Sequence, residues 1–304
     1  MNMHALSGVY AAAVTPISDD LTPDPDGLLA LLEFLAGRGC HGALLLGTTG
    51  EGPSFSIAER KQVLEAGRRI RETVPTFRLF AGVGTPALED TIELARSAFD
   101  LDYDAIIVLP PYYYRTAGED GLFKWYAELT DRAVPAGRGL LGYHIPGVSG
   151  VGLSIDLLRR LSDTYPGRFL GLKDSSADRA HALALGDAFG SDLLVLNGTD
   201  RLFSDALAAG ASGCITAMAN LVSPDLRAVW DAHLAGRTDP AAQSRLDRAR
   251  AISERFPPAA ALVKDLLAEI HGFPRWAVKP PLEPLEPGRA ERAQLAWRTR
   301  GQIA

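Results

Sequence analysis

Lys173 is the residue whose type and position most directly suggest chemistry. It follows the apolar run 169–172, so it lies where a buried strand should end. An amine at the mouth of a barrel strand loses hydration, and this lowers its pKa and frees it to attack a carbonyl carbon. A structural lysine paired with Asp174 is the alternative, because charged residues commonly flank strands.

Four other predicted strand ends carry polar or aromatic side chains that could act beside such an amine. They are the segments 47–52, 110–114, 143–146 and 197–200. Reactive groups of an α/β barrel gather at the carboxyl ends of its strands. We therefore expect these segments to lie around one mouth together with Lys173.

The segment 47–52 has the composition of a small-anion cradle. Gly47 and its neighbouring glycines permit a tight turn that presents amide N–H groups, while Thr48 and Thr49 add two hydroxyls before a helix. This arrangement suits a carboxylate, and it lacks the spacing of a phosphate-binding P-loop. A plain turn with a helix cap is the alternative, since caps often have this composition.

The aromatic residues at strand ends are the next candidates. Strand alternation predicts that Tyr143 points inward, one strand away from Lys173, where its phenol could relay a proton for a carbonyl under attack. A packed aromatic with a hydrogen-bonded hydroxyl is the other interpretation. The tyrosines at 112–114 favour an interface, where aromatic residues are enriched.

The elements that must position these residues follow from the pattern of the chain. Short apolar runs alternate with stretches of helical periodicity, as at 57–70, 88–99, 122–133 and 155–161. The predicted strands are 8–15, 42–47, 79–84, 104–110, 139–144, 169–174, 193–198 and 213–219. Eight strands, each followed by a helix, predict a closed (β/α)8 TIM barrel of the α/β class.

The barrel pattern ends near residue 230, so we predict a barrel over 1–230 that carries the active site. Helical stretches around 243–255, 259–270 and 289–300, joined by proline-rich segments, predict a C-terminal helical extension over 231–304.

Composition excludes several classes of partner. The net charge is −6 from 31 basic and 37 acidic residues, with no basic stripe, so nucleic acid is not expected. No apolar stretch approaches the ~20 residues that span a bilayer, and residues 1–8 lack the features of a signal peptide. Cys40 and Cys214 lie beside apolar runs as expected of small buried side chains, which agrees with a reducing cytoplasm.

A metal mechanism is not expected, and neither is a cofactor. The six histidines show no close pairing in sequence, and no Cys/His/Asp group has ligand spacing. His144 alone lies at a strand end, and alternation predicts that it faces away from the barrel axis in a supporting or structural role.

Assembled in order, these motifs resemble the dihydrodipicolinate synthase/N-acetylneuraminate lyase family of pyruvate-dependent class I aldolases. The likeness covers most of the chain. Its most specific elements are Gly-Thr-Thr-Gly-Glu at 47–51, Pro-Tyr-Tyr at 111–113, Tyr-His-Ile-Pro at 143–146 and Gly-Leu-Lys-Asp at 171–174.

The resemblance implies a role for each matching residue. Lys173 would form the Schiff base with pyruvate or another 2-oxo acid, Tyr143 would transfer protons, and Thr48 would be its relay partner. Thr49 would hold the substrate carboxylate with help from the loop backbone at Gly47. Tyr113 would complete the relay from a neighbouring subunit, which implies a homotetramer built as a dimer of dimers.

Departures from the family pattern bear on the substrate. Val148 stands where dihydrodipicolinate synthases normally carry an arginine for the aldehyde partner's carboxylate, and an apolar side chain cannot replace a guanidinium. The segments 145–152 and 197–200 look closer to the sialic-acid lyase branch. However, Arg201 stands where that branch has an acidic residue, and Ala217 where it has a serine.

We therefore predict an aldolase or dehydratase acting on a 2-oxo acid, such as a 2-keto-3-deoxy sugar acid or 4-hydroxy-2-oxoglutarate. Asp200 and Arg201 are candidates for contacting the aldehyde half, and Gly198 and Ile215 for completing the substrate pocket. The alternatives are dihydrodipicolinate synthase, N-acetylneuraminate lyase and a non-catalytic barrel that binds a 2-oxo acid.

Overall fold

Eight parallel strands close into a barrel in sequence order. A computed structural model gives this architecture and describes residues 3–301. The strands are β1 (Gly8–Ala12), β2 (Gly42–Leu45), β3 (Arg78–Gly82), β4 (Ala105–Val108), β5 (Gly139–His144), β6 (Phe169–Asp174), β7 (Leu194–Asn197) and β8 (Gly213–Thr216). The predicted TIM barrel is confirmed.

Helices connect successive strands and cover the outside of the barrel. They are α1 (Pro25–Gly37), α2 (Ile57–Arg68), α3 (Ile70–Thr73), α4 (Leu88–Asp100), α5 (Glu119–Ala133), α6 (Pro146–Ser149), α7 (Ile155–Thr164), α8 (Arg179–Phe189), α9 (Phe203–Ala208) and α10 (Ala219–Leu234). Short 3-10 turns occur at Met3–Leu6, Gly52–Ser54 and Asp200–Leu202.

Side chains alternate between two buried layers along each strand. The inner layer fills the barrel and includes Tyr10, Leu141, Tyr143 and Ile215, whereas a larger outer layer packs the strands against the helices. Because paired residues of parallel neighbours point to the same side, strand register decides which groups share the barrel interior.

A β-bulge in β6 interrupts this alternation just before Lys173. Leu140 pairs with Phe169 but Leu141 pairs with Gly171, so β6 contains one extra residue at this point. In consequence Leu170 belongs to the inner layer and Leu172 to the outer layer, although strict alternation would put them on one side. Beyond the bulge, Lys173 is in register with Tyr143.

The C-terminal extension consists of three helices, α11 (Pro240–Arg255), α12 (Ala259–His271) and α13 (Pro287–Thr299). The barrel's last helix, α10, runs across residue 230 and ends at Leu234. The division of the chain near residue 230 stays a prediction.

Two expectations from composition concern the helices and the cysteines. Among the helices that the structure describes, none has the length and apolar character needed to cross a membrane. Cys40 and Cys214 are buried and carry free thiols, which agrees with their predicted role as small core side chains.

Candidate active site

The loop after β2 forms one side of the barrel mouth. Its chain leaves the strand at Leu46, which has a left-handed φ of 58°, and a second left-handed residue follows at Glu51 with φ 55°. The Ser56 side chain and Glu59 then form a capping box that begins α2. The loop is therefore held at both ends, with Thr48 and Thr49 between them.

Lys173, Tyr143 and Thr48 come together at this mouth. The amine of Lys173 lies 4.2 Å from the centre of the Tyr143 ring, and the Tyr143 hydroxyl lies 3.2 Å from Thr48 Oγ1. Lys173 is 3% exposed and Tyr143 is 6% exposed, so both are largely removed from water. The predicted juxtaposition of an amine, a phenol and a threonine hydroxyl is present.

The surroundings of Tyr143 favour ionisation of its phenol. Burial raises the pKa of Tyr143, but the nearby positive charge of Lys173 lowers it. Hydrogen bonds with Thr48, Lys173 and Ser175 add to this lowering, and the net pKa lies below the ordinary value of 10.0. A phenol of lowered pKa can both give and accept a proton more readily near neutral pH.

The predicted carboxylate cradle borders the same space. Thr49 is buried and Thr48 is exposed, so the two hydroxyl-bearing residues differ in their access to solvent. Gly47, Thr48 and Tyr143 line one cavity together with apolar residues of β2 and β4. Ile215 belongs to the inner layer of the barrel, as its predicted place in the pocket requires.

Ser175 is a member of the cluster that the sequence did not single out. It follows β6, and its side chain lies near enough to the Tyr143 phenol to contribute to the lowering of its pKa. A Cβ added at Gly198 would lie 1.9 Å from Ser175 Oγ, so Gly198 contributes by leaving room for this hydroxyl. The signal in the sequence was a serine two residues after the lysine at a strand end.

Comparison with known proteins gives the family. The model of the dihydrodipicolinate synthetase family matches residues 5–296. The chain belongs to the dihydrodipicolinate synthetase family. An uncharacterized DapA-like lyase of Chloroflexus aurantiacus is 41% identical over 281 residues, which cover 91% of each chain.

Other family members agree in sequence and in fold. The 4-hydroxy-tetrahydrodipicolinate synthase 2 of Streptomyces coelicolor is 31% identical over 94% of this chain and 93% of its own. The crystal structure of dihydrodipicolinate synthase from Agrobacterium tumefaciens superimposes with a TM-score of 0.85 at 29% identity, covering 96% of this chain and 98% of that chain. As a member of the family, the chain is a pyruvate-dependent Schiff-base lyase of the class I aldolase type.

Tyr113, the residue that the family resemblance assigns to a subunit boundary, lies on the surface. It is 76% exposed and packs edge-on against Tyr114 at 5.3 Å between ring centres. Two exposed tyrosines on one loop are typical of a surface that a partner covers. Its participation in a relay from a neighbouring subunit stays a prediction.

The placement of Asp200 corrects the prediction that this residue contacts the aldehyde half of the substrate. Asp200 is fully buried, and its carboxylate interacts with Arg250 of α11 and with Thr216. Thr216 points outward, because it is paired with Ala11 of the outer layer. Asp200 therefore lies outside the barrel wall, between β8 and the C-terminal extension.

Arg201 is likewise engaged with the extension. Its guanidinium donates to Glu254 at 2.8 Å, while the Gln243 side chain donates to the carbonyl of Asp200. The turn after β7 thus anchors α11. The sequence could not indicate this, because the partners of Asp200 and Arg201 lie about fifty residues further along the chain.

The burial of Asp200 leads to a pH-dependent effect on stability. Burial raises its pKa and outweighs Arg250 and Thr216, while Oδ1 has no hydrogen-bond partner among the described residues. A carboxyl whose pKa is raised on folding contributes stability that is present below the unfolded pKa, 3.8, and lost as pH rises through the folded pKa. We expect the wild type to gain stability relative to Asp200→Asn as pH falls from about 7 towards 4.5.

Urea unfolding of both proteins across this pH range measures the effect. The exposed Asp26→Asn variant controls for the general effect of removing one negative charge. If the free energy of unfolding changes with pH by the same amount in the wild type and in Asp200→Asn, the expectation is contradicted.

The histidines show a grouping that the sequence did not reveal. The rings of His144 and His181 stack at 4.4 Å, and Asp174 completes a group whose potential ligand atoms lie within 4.8 Å of one another. The spacing of these residues in the sequence did not indicate the group, because His181 comes from α8 whereas the other two residues end neighbouring strands.

The hydrogen bonding of His144 makes it a poor metal ligand nonetheless. Its Nδ1 accepts from the backbone N–H of Leu153 at 2.9 Å. In the neutral ring the proton must then reside on Nε2, so coordination there would require the imidazolate. Its neighbour Tyr143 belongs to the inner layer, so strand alternation turns His144 away from the barrel interior, as predicted.

Proposed function

We propose that the chain is an aldolase or dehydratase that forms a Schiff base between Lys173 and a 2-oxo acid. The burial of Lys173 against the Tyr143 ring, with Thr48 at hydrogen-bond distance from the phenol, carries this proposal. These are the parts that imine chemistry needs, namely a shielded amine and an adjacent group that exchanges protons.

The proposed reaction begins when Lys173 Nζ adds to the C2 carbonyl carbon. Tyr143 supplies the proton with which the carbinolamine loses water, leaving a protonated imine. The Tyr143 phenolate then takes the proton of the C4 hydroxyl as the C3–C4 bond breaks. The electron pair of that bond flows towards the iminium nitrogen to give an enamine, and the aldehyde departs.

The cycle closes when the enamine is protonated at C3 and the imine is hydrolysed. Pyruvate leaves and the amine of Lys173 is restored. Thr48 returns protons to Tyr143 through their shared hydrogen bond, and Thr49 holds the carboxylate of the 2-oxo acid. Gly198 and Ile215 shape the space around these groups.

Val148 weighs against aspartate semialdehyde as the natural partner. It is 61% exposed on α6, after β5, and cannot form the ion pair that an arginine would give to the carboxylate of that aldehyde. We therefore propose 2-keto-3-deoxy sugar acids or 4-hydroxy-2-oxoglutarate as substrates. Synthesis of 4-hydroxy-tetrahydrodipicolinate is the second candidate, favoured by the name of the Streptomyces coelicolor relative.

The assembly that we propose is a homotetramer in the cytoplasm, with Tyr113 at a boundary between subunits. Its ligand is the small 2-oxo acid, and we propose neither a nucleic-acid nor a membrane partner. The exposed Tyr113–Tyr114 pair supports the subunit boundary.

A substrate screen tests the function. Release of pyruvate is followed with each 2-keto-3-deoxy acid, with 4-hydroxy-2-oxoglutarate and with N-acetylneuraminate, using Lys173→Ala as the blank. We expect release of pyruvate from at least one 2-keto-3-deoxy acid or from 4-hydroxy-2-oxoglutarate. Turnover only of pyruvate with aspartate semialdehyde would establish the synthase instead, and turnover only of N-acetylneuraminate would establish the sialic-acid lyase. Thermal stabilisation by pyruvate without any turnover would favour the non-catalytic barrel.

A further inference from the structure

A buried ion pair connects the loop that carries Thr48 and Thr49 to the C-terminal extension. Lys264 of α12 donates to Glu51 Oε1 at 2.5 Å, and the two side chains are 1% and 0% exposed. Burying two charges costs much of their mutual attraction, so such a pair is weak evidence for a purely stabilising role. This pair therefore calls for another explanation.

Both oxygens of the Glu51 carboxylate are bound by the extension. Oε2 accepts from the backbone N–H of Lys279 at 2.7 Å, while Oε1 is held by Lys264. The Lys264 amine also donates to the carbonyl of Ala277 at 2.6 Å. The carboxylate is thus fixed in position by α12 and by the segment 277–279 together.

Glu51 transmits this constraint directly to the threonine-bearing turn. Its backbone N–H donates to the carbonyl of Thr48 at 3.2 Å, and the N–H of Gly52 donates to Gly47 at 3.1 Å. Glu51 also has a left-handed backbone, which a non-glycine residue keeps only where its surroundings enforce it. The bound side chain supplies that enforcement.

The same segment of the extension holds the start of α2. The Lys279 amine lies 4.6 Å from the centre of the Phe55 ring and forms an ion pair with Glu59. Glu59 in turn caps α2 through Ser56. The extension therefore secures the β2 loop both at Glu51 and at its exit into the helix.

We propose that Glu51 and Lys264 are positioning residues of the active site. Through them the C-terminal extension sets the turn that places the Thr48 hydroxyl beside Tyr143 and forms the Thr49 carboxylate cradle. Neither residue touches the substrate. The proposal rests on the proposed function for the roles of Thr48 and Thr49, so its main readout uses pyruvate alone.

Borohydride trapping of pyruvate, with thermal unfolding alongside, tests this inference. The variants are Glu51→Gln, which keeps the size of the side chain, Lys264→Met, which keeps its stem, and the double variant. We expect Glu51→Gln to raise the pyruvate concentration for half-maximal trapping on the order of 10-fold, and to lower kcat of any substrate turned over by 10- to 100-fold, the scale of a displaced catalytic group. Trapping at saturating pyruvate should still reach completion.

Two comparisons separate positioning from simple stability. Lys61→Met removes a surface ion pair between Lys61 on α2 and Glu93 on α4, and it should leave trapping and kcat unchanged. The double variant removes the charge from both partners of the buried pair. If Glu51 and Lys264 position the turn only through their contact with each other, the trapping defect of the double variant will match that of Glu51→Gln. It will then be smaller than the sum of the two single defects.

The result that would overturn the inference is a folded Glu51→Gln or double variant that traps pyruvate at wild-type concentrations. A trapping defect that disappears when each variant is measured at the same interval below its own Tm would also overturn it. Failure of the proposed function has a different signature, because no 2-oxo acid in the screen would then be turned over by the wild type while pyruvate trapping stays measurable.

Discussion

Reduction with borohydride in the presence of pyruvate is expected to add one reduced pyruvate unit to Lys173. The physical reason is that Lys173 is 3% exposed and lies beside a phenol that can manage the protons of imine formation. Lys173→Ala should lose the adduct and lower kcat by on the order of 10⁴-fold or more, the scale on which removal of a covalent nucleophile acts. Intact-mass and peptide mass spectrometry locate the adduct, and a coupled assay for pyruvate gives kcat.

Lys61→Ala is the matched control, because this lysine is partly exposed on α2 and has no role in the site. It should retain both the adduct and turnover. An adduct that persists in Lys173→Ala, or wild-type turnover by that variant, would remove Lys173 from the mechanism and with it the proposed function.

Tyr143→Phe is expected to fold normally and to lower kcat about 100-fold or more, the usual effect of losing an acid–base group. The substitution keeps the buried ring against the Lys173 amine and removes only the hydroxyl that contacts Thr48. The pKa of this phenol is lowered, so its ionisation should affect the pH dependence of kcat in the wild type. In Tyr143→Phe that ionisation should disappear from the pH profile. Pyruvate should still be trapped on Lys173, although more slowly, since the amine remains.

Tyr126→Phe provides the comparison for the loss of a buried phenol. Tyr126 is fully buried, and its hydroxyl donates to the carbonyl of Val108 at 3.0 Å, away from the amine. That variant should lose stability while its kcat stays at the wild-type value. If Tyr143→Phe also keeps full turnover, Tyr143 takes no part in proton transfer.

The sequence predicts most of the fold because parallel strands buried on both faces leave continuous apolar runs. All eight strands begin within one residue of the predicted start. The predicted strands extend too far mainly at their carboxyl ends, where the chain leaves the ladder to build the site. β2 stops at Leu45 because Leu46 turns into the left-handed region, a change that an apolar leucine does not reveal.

The contact between Tyr143 and Lys173 was predictable because these residues lie near the ends of adjacent strands, β5 and β6, and at matching positions along them. The missed features depend on long-range packing. Glu51 and Lys264 are 213 residues apart, and no local pattern links them. The direction of the Asp200 side chain is set by α11, which lies outside the barrel.

The bulge at 170–171 makes the direction of the nucleophile tolerant of a change in strand length. A chain lacking one residue of that pair would lose the bulge and match β5 residue for residue. Leu172 would still face the helices, and the amine of Lys173 would still lie opposite Tyr143. A shortened β6 is therefore compatible with an intact nucleophile. Among relatives of this protein, the register of the lysine with the tyrosine on β5 is a better guide to activity than the number of residues that precede it.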